Sequence, residues 1–180
     1  MSDSVLGPDG RRRCPWALAA QEYLTYHDTE WGRPVHGDAA LFERLTLEAF
    51  QSGLSWLTIL RKRGAFRLAF DEFDPGRVAA FDDKDLTRLL NDAGIVRNRA
   101  KITATIANAR AVVGLLATEG QGALDALVWQ YAPAPRPRPR SIADVPATTA
   151  ESVALAKALK VVKDDGRQAL LNVICQSALA

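Results

Sequence analysis

Metal ligands and disulfide partners are scarce in this chain. Its 180 residues include two cysteines, Cys14 and Cys175, and two histidines, His27 and His36. One disulfide is the most that this count allows, which excludes a small domain held by several cross-links. With no secretion signal visible, the cysteines point to a reducing, cytoplasmic compartment. No paired-cysteine zinc motif, Gly-rich phosphate loop or Ser-His-Asp signature occurs. Long apolar runs are missing too: none reaches the roughly 18 residues that mark a membrane span, so no membrane association is expected. The opening "MSDSVLGPDGRRR" lacks the apolar centre of a signal peptide. Charge of one sign is not in large excess. A net charge of +2 permits a nucleic-acid partner without requiring one, so the distribution of charge must decide. Alternating strand patterns and internal repeats are absent as well.

What the sequence does hold is helix. Apolar residues make up 48% and charged residues 24%, as in a folded soluble protein. The length suits a single domain with a substantial core. "PWALAAQEYLTYHDTEW" starts with Pro15, which suits a first helical turn. "LFERLTLEAFQSGLSW" leads into a Gly-Leu-Ser-Trp turn, and "LTILRKRGAFRLAF" follows, with a break expected at Gly64. "DPGRVAAF" reads as a short helix capped by Asp74, and "DDKDLTRLLNDAG" as one stopped by Gly94. "NRAKITATIANARAVVGLLA" is the longest helix and "ALDALVWQYA" the next. A Pro/Arg-rich segment near 132–147 must be extended, because proline lacks the N–H a helix needs. "TTAESVALAKALK" restarts a helix under Thr148 or Thr149, and "DDGRQALLNVICQSALA" ends the chain. The expectation is an all-α fold. A flexible basic leader, residues 1–12, precedes one helical domain over 13–180.

Three features carry chemistry. Between two helices, "AGIVRNRAK" sets Gly94 in a tight connection and crowds Arg97, Arg99 and Lys101 at the start of the next helix. Backbone N–H groups at a helix N-terminus, with cations beside them, suit a DNA phosphate. An ordinary antiparallel helix pair with solvated basic residues has the same pattern. "RKRGAFR" and "RPRPR" add further positive charge. The second feature is aromatic: Tyr23, Tyr26, His27 and Glu30 occupy neighbouring helical positions, followed by Trp31. Such a cluster can stack on a planar base or simply fill core space. The third is Glu48. At about 100° per residue it falls at the edge of the apolar stripe made by Leu41, Leu45, Ala49, Ser52 and Trp56. A carboxylate there must be paired, protonated or used. Together with Trp56 and Tyr26 it would suit a cationic planar ligand. Cys14 and His27 are soft metal ligands, but a structural zinc site needs four donors.

Taken in order, "RCPWA", "YLTYHDTEWGRPVH", "LFERLTLEAFQSGLSWLTILRKR", "FDPGRVAAF", "NDAGIVRNRAKITATIANARA", "LVWQY" and "SVALAKALK" resemble the DNA-3-methyladenine glycosylase I family. The resemblance covers roughly residues 13–160, and the chain reads as divergent or truncated after Lys160. It implies a compact helical domain of the helix-hairpin-helix glycosylase type, which removes 3-methyladenine from alkylated double-stranded DNA in base-excision repair. By resemblance, Glu48 is the catalytic, base-recognising glutamate, with Tyr23, Tyr26 and Trp56 as substrate-binding aromatics. Gly53 and Leu54 match the turn that approaches the gap left by a flipped nucleotide. Gly94, Arg97, Arg99 and Lys101 match the phosphate anchor. Cys14 and His27 match two of four zinc ligands. The motif that supplies the remaining ligands is missing, so structural zinc is left incomplete, and no cofactor is required for the chemistry. No lysine occupies the position of a Schiff-base nucleophile, which implies base release without strand cleavage; a monomer is expected. The alternative is a catalytically impaired helix-hairpin-helix DNA-binding module.

Overall fold

Stacked phenylalanine rings set the helix packing in the computed structural model, which describes residues 4–135 and 144–161. Those residues form helices α1 (Gln21–Thr29), α2 (Asp38–Gln51), α3 (Trp56–Ala69), α4 (Pro75–Ala79), α5 (Asp83–Asn91), α6 (Arg99–Glu119), α7 (Ala123–Trp129) and α8 (Ala150–Val161). Phe70, at the end of α3, stacks on Phe66, Phe73 and Phe81 with ring centroids 6.1, 5.7 and 6.3 Å away. Phe50 of α2 meets Phe66 edge-on at 4.7 Å. All five rings are buried. Such pairs add about 0.5–1.5 kcal/mol each beyond the area they bury.

The stack requires an unusual connection. Asp71, Glu72 and Phe73 have φ of 48°, 54° and 56°. Left-handed backbone costs an L-residue about 1–2 kcal/mol. What it achieves here is to return Phe73 under Phe70, where it is fully buried. Asp74 then caps α4 by accepting from the Arg77 amide, as the sequence suggests. Helix α4 packs along α6, and Arg110 of α6 donates to the carbonyls of Ala79 and Phe81. By length and composition alone α6 could cross a membrane. Here Ile102, Thr105, Ile106, Ala109 and Val112 pack one of its faces into the core.

Several local expectations change. Where the sequence reads as a flexible leader over residues 1–12, a short hairpin forms across residues 5–13: β1 (Val5–Leu6) pairs antiparallel with β2 (Arg12–Arg13). Buried Arg13 holds it, bridging Asp9 on the hairpin and Asp28 on α1. These bonds keep both carboxyls well below the usual carboxylate range. The helix expected from Pro15 divides into a 3-10 turn, Pro15–Leu18, and α1, because Ala20 is extended. Gly64 does not break α3; an exposed glycine costs a helix only about 1 kcal/mol relative to alanine, and packing outweighs that. Helix α5 ends at Asn91, before Gly94. Thr149 is the cap of α8, exchanging hydrogen bonds with Ser152. The final expected helix, Cys175 and residues 136–143 of the Pro/Arg-rich segment lie outside the described residues.

Phe70→Ala removes the ring common to three of these stacked pairs. It is expected to destabilise the fold by about 3–5 kcal/mol, lowering the thermal midpoint by roughly 6–20 °C. A circular-dichroism melt showing a shift below about 2 °C would contradict the central place given to the stack.

Candidate active site

Helix α2 is buried over most of its surface. Leu41, Phe42, Leu47 and Phe50 join the main core, and Glu48 is only 4% exposed. Burying a carboxylate costs several kcal/mol unless its surroundings compensate. The stripe position read from the sequence is therefore real, and its consequence is a carboxyl group held inside the protein. Tyr26 of α1, also buried, feels it. Burial raises the Tyr26 phenol above its ordinary pKa; Arg44 opposes the rise, while Glu48 and Glu30 reinforce it.

Aromatic rings surround Tyr26. Tyr26 meets Trp56, the first residue of α3, at 5.6 Å between centroids. Trp16, from the 3-10 turn, contacts Tyr23, Tyr26, His27 and Trp31 at 5.6, 6.4, 5.2 and 5.4 Å. The break at Ala20 makes these contacts feasible by folding Trp16 back over α1. The Tyr23 hydroxyl accepts from the Leu57 amide at 3.1 Å, which satisfies an orphan N–H in the first turn of α3 and ties that helix to α1. The buried Trp56 indole N–H has no hydrogen-bond partner among the described residues.

Arg44 closes the cluster. Its guanidinium lies 5.6 Å from the Tyr26 ring and 5.9 Å from the Trp56 ring, and donates to the Tyr26 hydroxyl at 3.2 Å. It also pairs with Glu30 at 3.3 Å. Glu30 pairs in turn with Arg63, Arg63 with Glu43, and Glu43 with Arg67. Burial works against the Glu43 carboxylate, but hydrogen bonds from Arg67 and Arg63 outweigh it and hold its pKa below the ordinary value. The chain of ion pairs joins α1, α2 and α3 behind the aromatic rings.

At the end of α2 the backbone turns sharply. The Leu54 amide donates to the Gln51 carbonyl at 2.6 Å, with φ −48° and ψ 116° at Ser52 and φ +80° at Gly53. That is a type II turn, whose third position needs glycine for its positive φ. Leu54, at the tip, is 40% exposed. Ser55 caps α3 by accepting from the Thr58 amide, and Trp56 follows.

The α5–α6 connection lies against this region. Gly94 sits so close to α3 that a Cβ there would meet the Ala65 Cβ at 2.9 Å. Its glycine requirement is close approach, not helix termination. Lys62 of α3 donates to the carbonyls of Ala93 and Gly94 at 2.8 and 3.2 Å. Asn98 caps α6 through the Lys101 amide. Arg97 and Arg99 are exposed and make no ion pair or side-chain hydrogen bond with any described residue. Lys101 differs from them: its ammonium is turned inward, onto the carbonyls of Phe50 at 2.9 Å and Ser52 at 2.6 Å.

Cys14 and His27 are neighbours. The Cys14 amide donates to His27 Nε2 at 3.4 Å, and His27 Nδ1 lies 3.0 Å from the Asp28 carboxylate. No group of three His, Cys, Asp or Glu side chains that could hold a metal ion occurs among the described residues. Among the described residues, Cys14 and His27 are the two soft donors there.

The structure thus brings Glu48, Tyr23, Tyr26 and Trp56 together, with the Gly53–Leu54 turn and the Gly94–Lys101 connection beside them. Sequence reasoning did not assign Trp16, Arg44 or Lys62 to the site. Arg44 had a legible signal, standing one helical turn before Glu48. The contacts of Trp16 and Lys62 depend on chain folding that no local spacing announces.

Comparison with known proteins gives this geometry a family. Residues 16–179 match the family model for methyladenine glycosylase, which extends past Lys160, where the resemblance read from the motifs stops. The chain is 43% identical, over 150 residues, to DNA-3-methyladenine glycosylase 1 of Escherichia coli K12, covering 82% of this chain and 79% of that protein. Its fold is similar to a crystal structure of 3-methyladenine DNA glycosylase I, with a TM-score of 0.81, 38% identity and 92% of each chain covered. It is also similar to a tyrosine-to-phenylalanine variant of such an enzyme in complex with 3-methyladenine, with a TM-score of 0.78, 29% identity, and 92% and 89% coverage. A carboxylate buried among aromatic rings, beside a helix connection carrying free arginines, therefore sits in a chain that belongs to the methyladenine glycosylase family.

Proposed function

We propose that this chain is a monofunctional DNA-3-methyladenine glycosylase, acting as a monomer on alkylated double-stranded DNA in the cytoplasm. The observation that carries this reading is the buried Glu48 carboxylate beside Tyr26 and Trp56. Methylation at N3 makes adenine cationic within DNA and hence a good leaving group, so strong acid catalysis is unnecessary. The protein's tasks are extrusion, selection and charge. Extrusion of the nucleotide costs a few kcal/mol. Tyr26 and Trp56 stack against the cationic ring, with Tyr23 completing the aromatic wall. Glu48 accepts hydrogen bonds from the base edge and opposes its charge. Water then attacks the sugar carbon. The glycosidic electron pair leaves with the base and cancels its positive charge, while the water proton passes to solvent. No cofactor enters these steps.

Gly53 and Leu54 approach the gap left by the base, and the Gly94–Lys101 connection carries the phosphate contacts through Arg97, Arg99 and backbone N–H groups. Arg97→Ala and Arg99→Ala should each weaken binding equally for damaged and undamaged duplex. Each should also lower the slope of log affinity against log salt by about one. Fluorescence-anisotropy titrations over a salt series measure both. Lost discrimination at unchanged non-specific affinity would count against this assignment.

Glu48→Gln tests the chemistry. Glutamine keeps the shape, so stability should change by less than about 1 kcal/mol. The opposing charge is lost, and charge-assisted hydrogen bonds contribute about 1.5–3 kcal/mol, so excision should fall roughly ten- to hundred-fold. Chromatography of bases freed from methylated DNA, with a thermal melt on the same sample, gives both values. Loss of excision that merely tracks unfolding would remove Glu48 from the mechanism.

A further inference from the structure

Lys101 belongs by sequence to a set of phosphate-binding cations, yet its ammonium does not face outward. It spends two of its three N–H donors on the Phe50 and Ser52 carbonyls. Burial lowers its pKa from the ordinary value. Both acceptors are among the last carbonyls of α2 or just beyond them, which have no partner within the helix. One has a further significance. The Ser52 carbonyl belongs to the central peptide of the type II turn formed by Gln51–Leu54. Types I and II differ by a flip of that peptide, so whatever grips its oxygen chooses between them. A cationic donor at 2.6 Å grips it strongly.

We propose that Lys101 is a positioning residue for base extrusion: it holds the Ser52–Gly53 peptide in the type II orientation and so aims Leu54 at the duplex. The inference rests on the glycosylase reading for its functional half. Lys62 is the reciprocal clamp, tying the Ala93–Gly94 end of the connection to α3. The segment that meets phosphates and the turn that meets the base stack are thereby held at one spacing. Docking the former sets the place of the latter without a hinge between them. Arg97 and Arg99 differ in kind, because no described residue occupies their guanidinium groups.

The test compares Lys101→Met, which keeps the stem and removes the ammonium, with Arg99→Met. Amide exchange of Leu54, whose N–H closes the turn, should accelerate at least tenfold in Lys101→Met and less than threefold in Arg99→Met. Unchanged exchange in Lys101→Met overturns the proposal, whatever the activity. For excision from methylated duplex, Lys101→Met should lose about tenfold in kcat with KM within threefold. Affinity for free 3-methyladenine, followed by tryptophan quenching, should also stay within threefold, because a free base needs no extrusion. The salt slope on undamaged duplex should be unchanged; a fall of about one would make Lys101 a phosphate contact and overturn the proposal. Should Lys101→Met fail to fold, Lys101→Arg retains a cationic donor. Leu54 exchange within threefold of wild type in that variant supports the clamp, and tenfold acceleration refutes it. A wild-type chain that frees no 3-methyladenine would defeat the glycosylase reading, and Leu54 exchange would still decide the clamp.

Discussion

Burial of a carboxylate on a helix that also carries the main core is the constraint around which this protein is arranged. Glu48 and Phe50 are two residues apart on α2, one beside Tyr26 and the other against Phe66. The phenylalanine stack therefore does more than stabilise. It prevents α2 from rotating to bring Glu48 to solvent, because rotation would expose rings that are enclosed. Interiors packed to crystal-like density transmit such restraint with little give.

The charges behind the aromatic rings answer the same constraint. Three guanidinium groups, on Arg44, Arg63 and Arg67, alternate with the carboxylates of Glu30 and Glu43. Arg44 brings the excess positive charge within 6 Å of two rings of the site. Buried ion pairs are weak evidence for stability, since desolvation consumes much of their attraction. Their value here is geometric. Each guanidinium has a planar fork that fixes direction, so α1, α2 and α3 are held at set angles where the rings meet.

The two lysines extend that rigidity to the surface. Lys62 and Lys101 each bond two backbone carbonyls on a different element. Carbonyls at helix ends and in turns lack ladder partners, and ammonium groups supply donors without imposing a side-chain shape. The Gln51–Leu54 turn, the aromatic cluster and the exposed arginines consequently form one body.

Much of this was legible in the chain itself. Helical periodicity gave the elements, because an apolar face must be buried wherever the helix packs. The stripe position of Glu48 announced a charge that had to be used or paired, and the aromatic spacing in α1 grouped Tyr23 with Tyr26. Local chemistry determined the cap at Asp74. Tertiary structure alone decided the rest. Gly64 was misread as a breaker because packing outweighs a small propensity cost. The hairpin at residues 5–13 was missed because an anchor 15 residues away, Asp28, holds Arg13. Lys101 looked like its arginine neighbours until the end of α2 was seen beneath it. Sequence periodicity specifies which face of an element is apolar; it does not specify which distant carbonyl a lysine will reach. That depends on the approach of elements about fifty residues apart, and only the assembled core sets it.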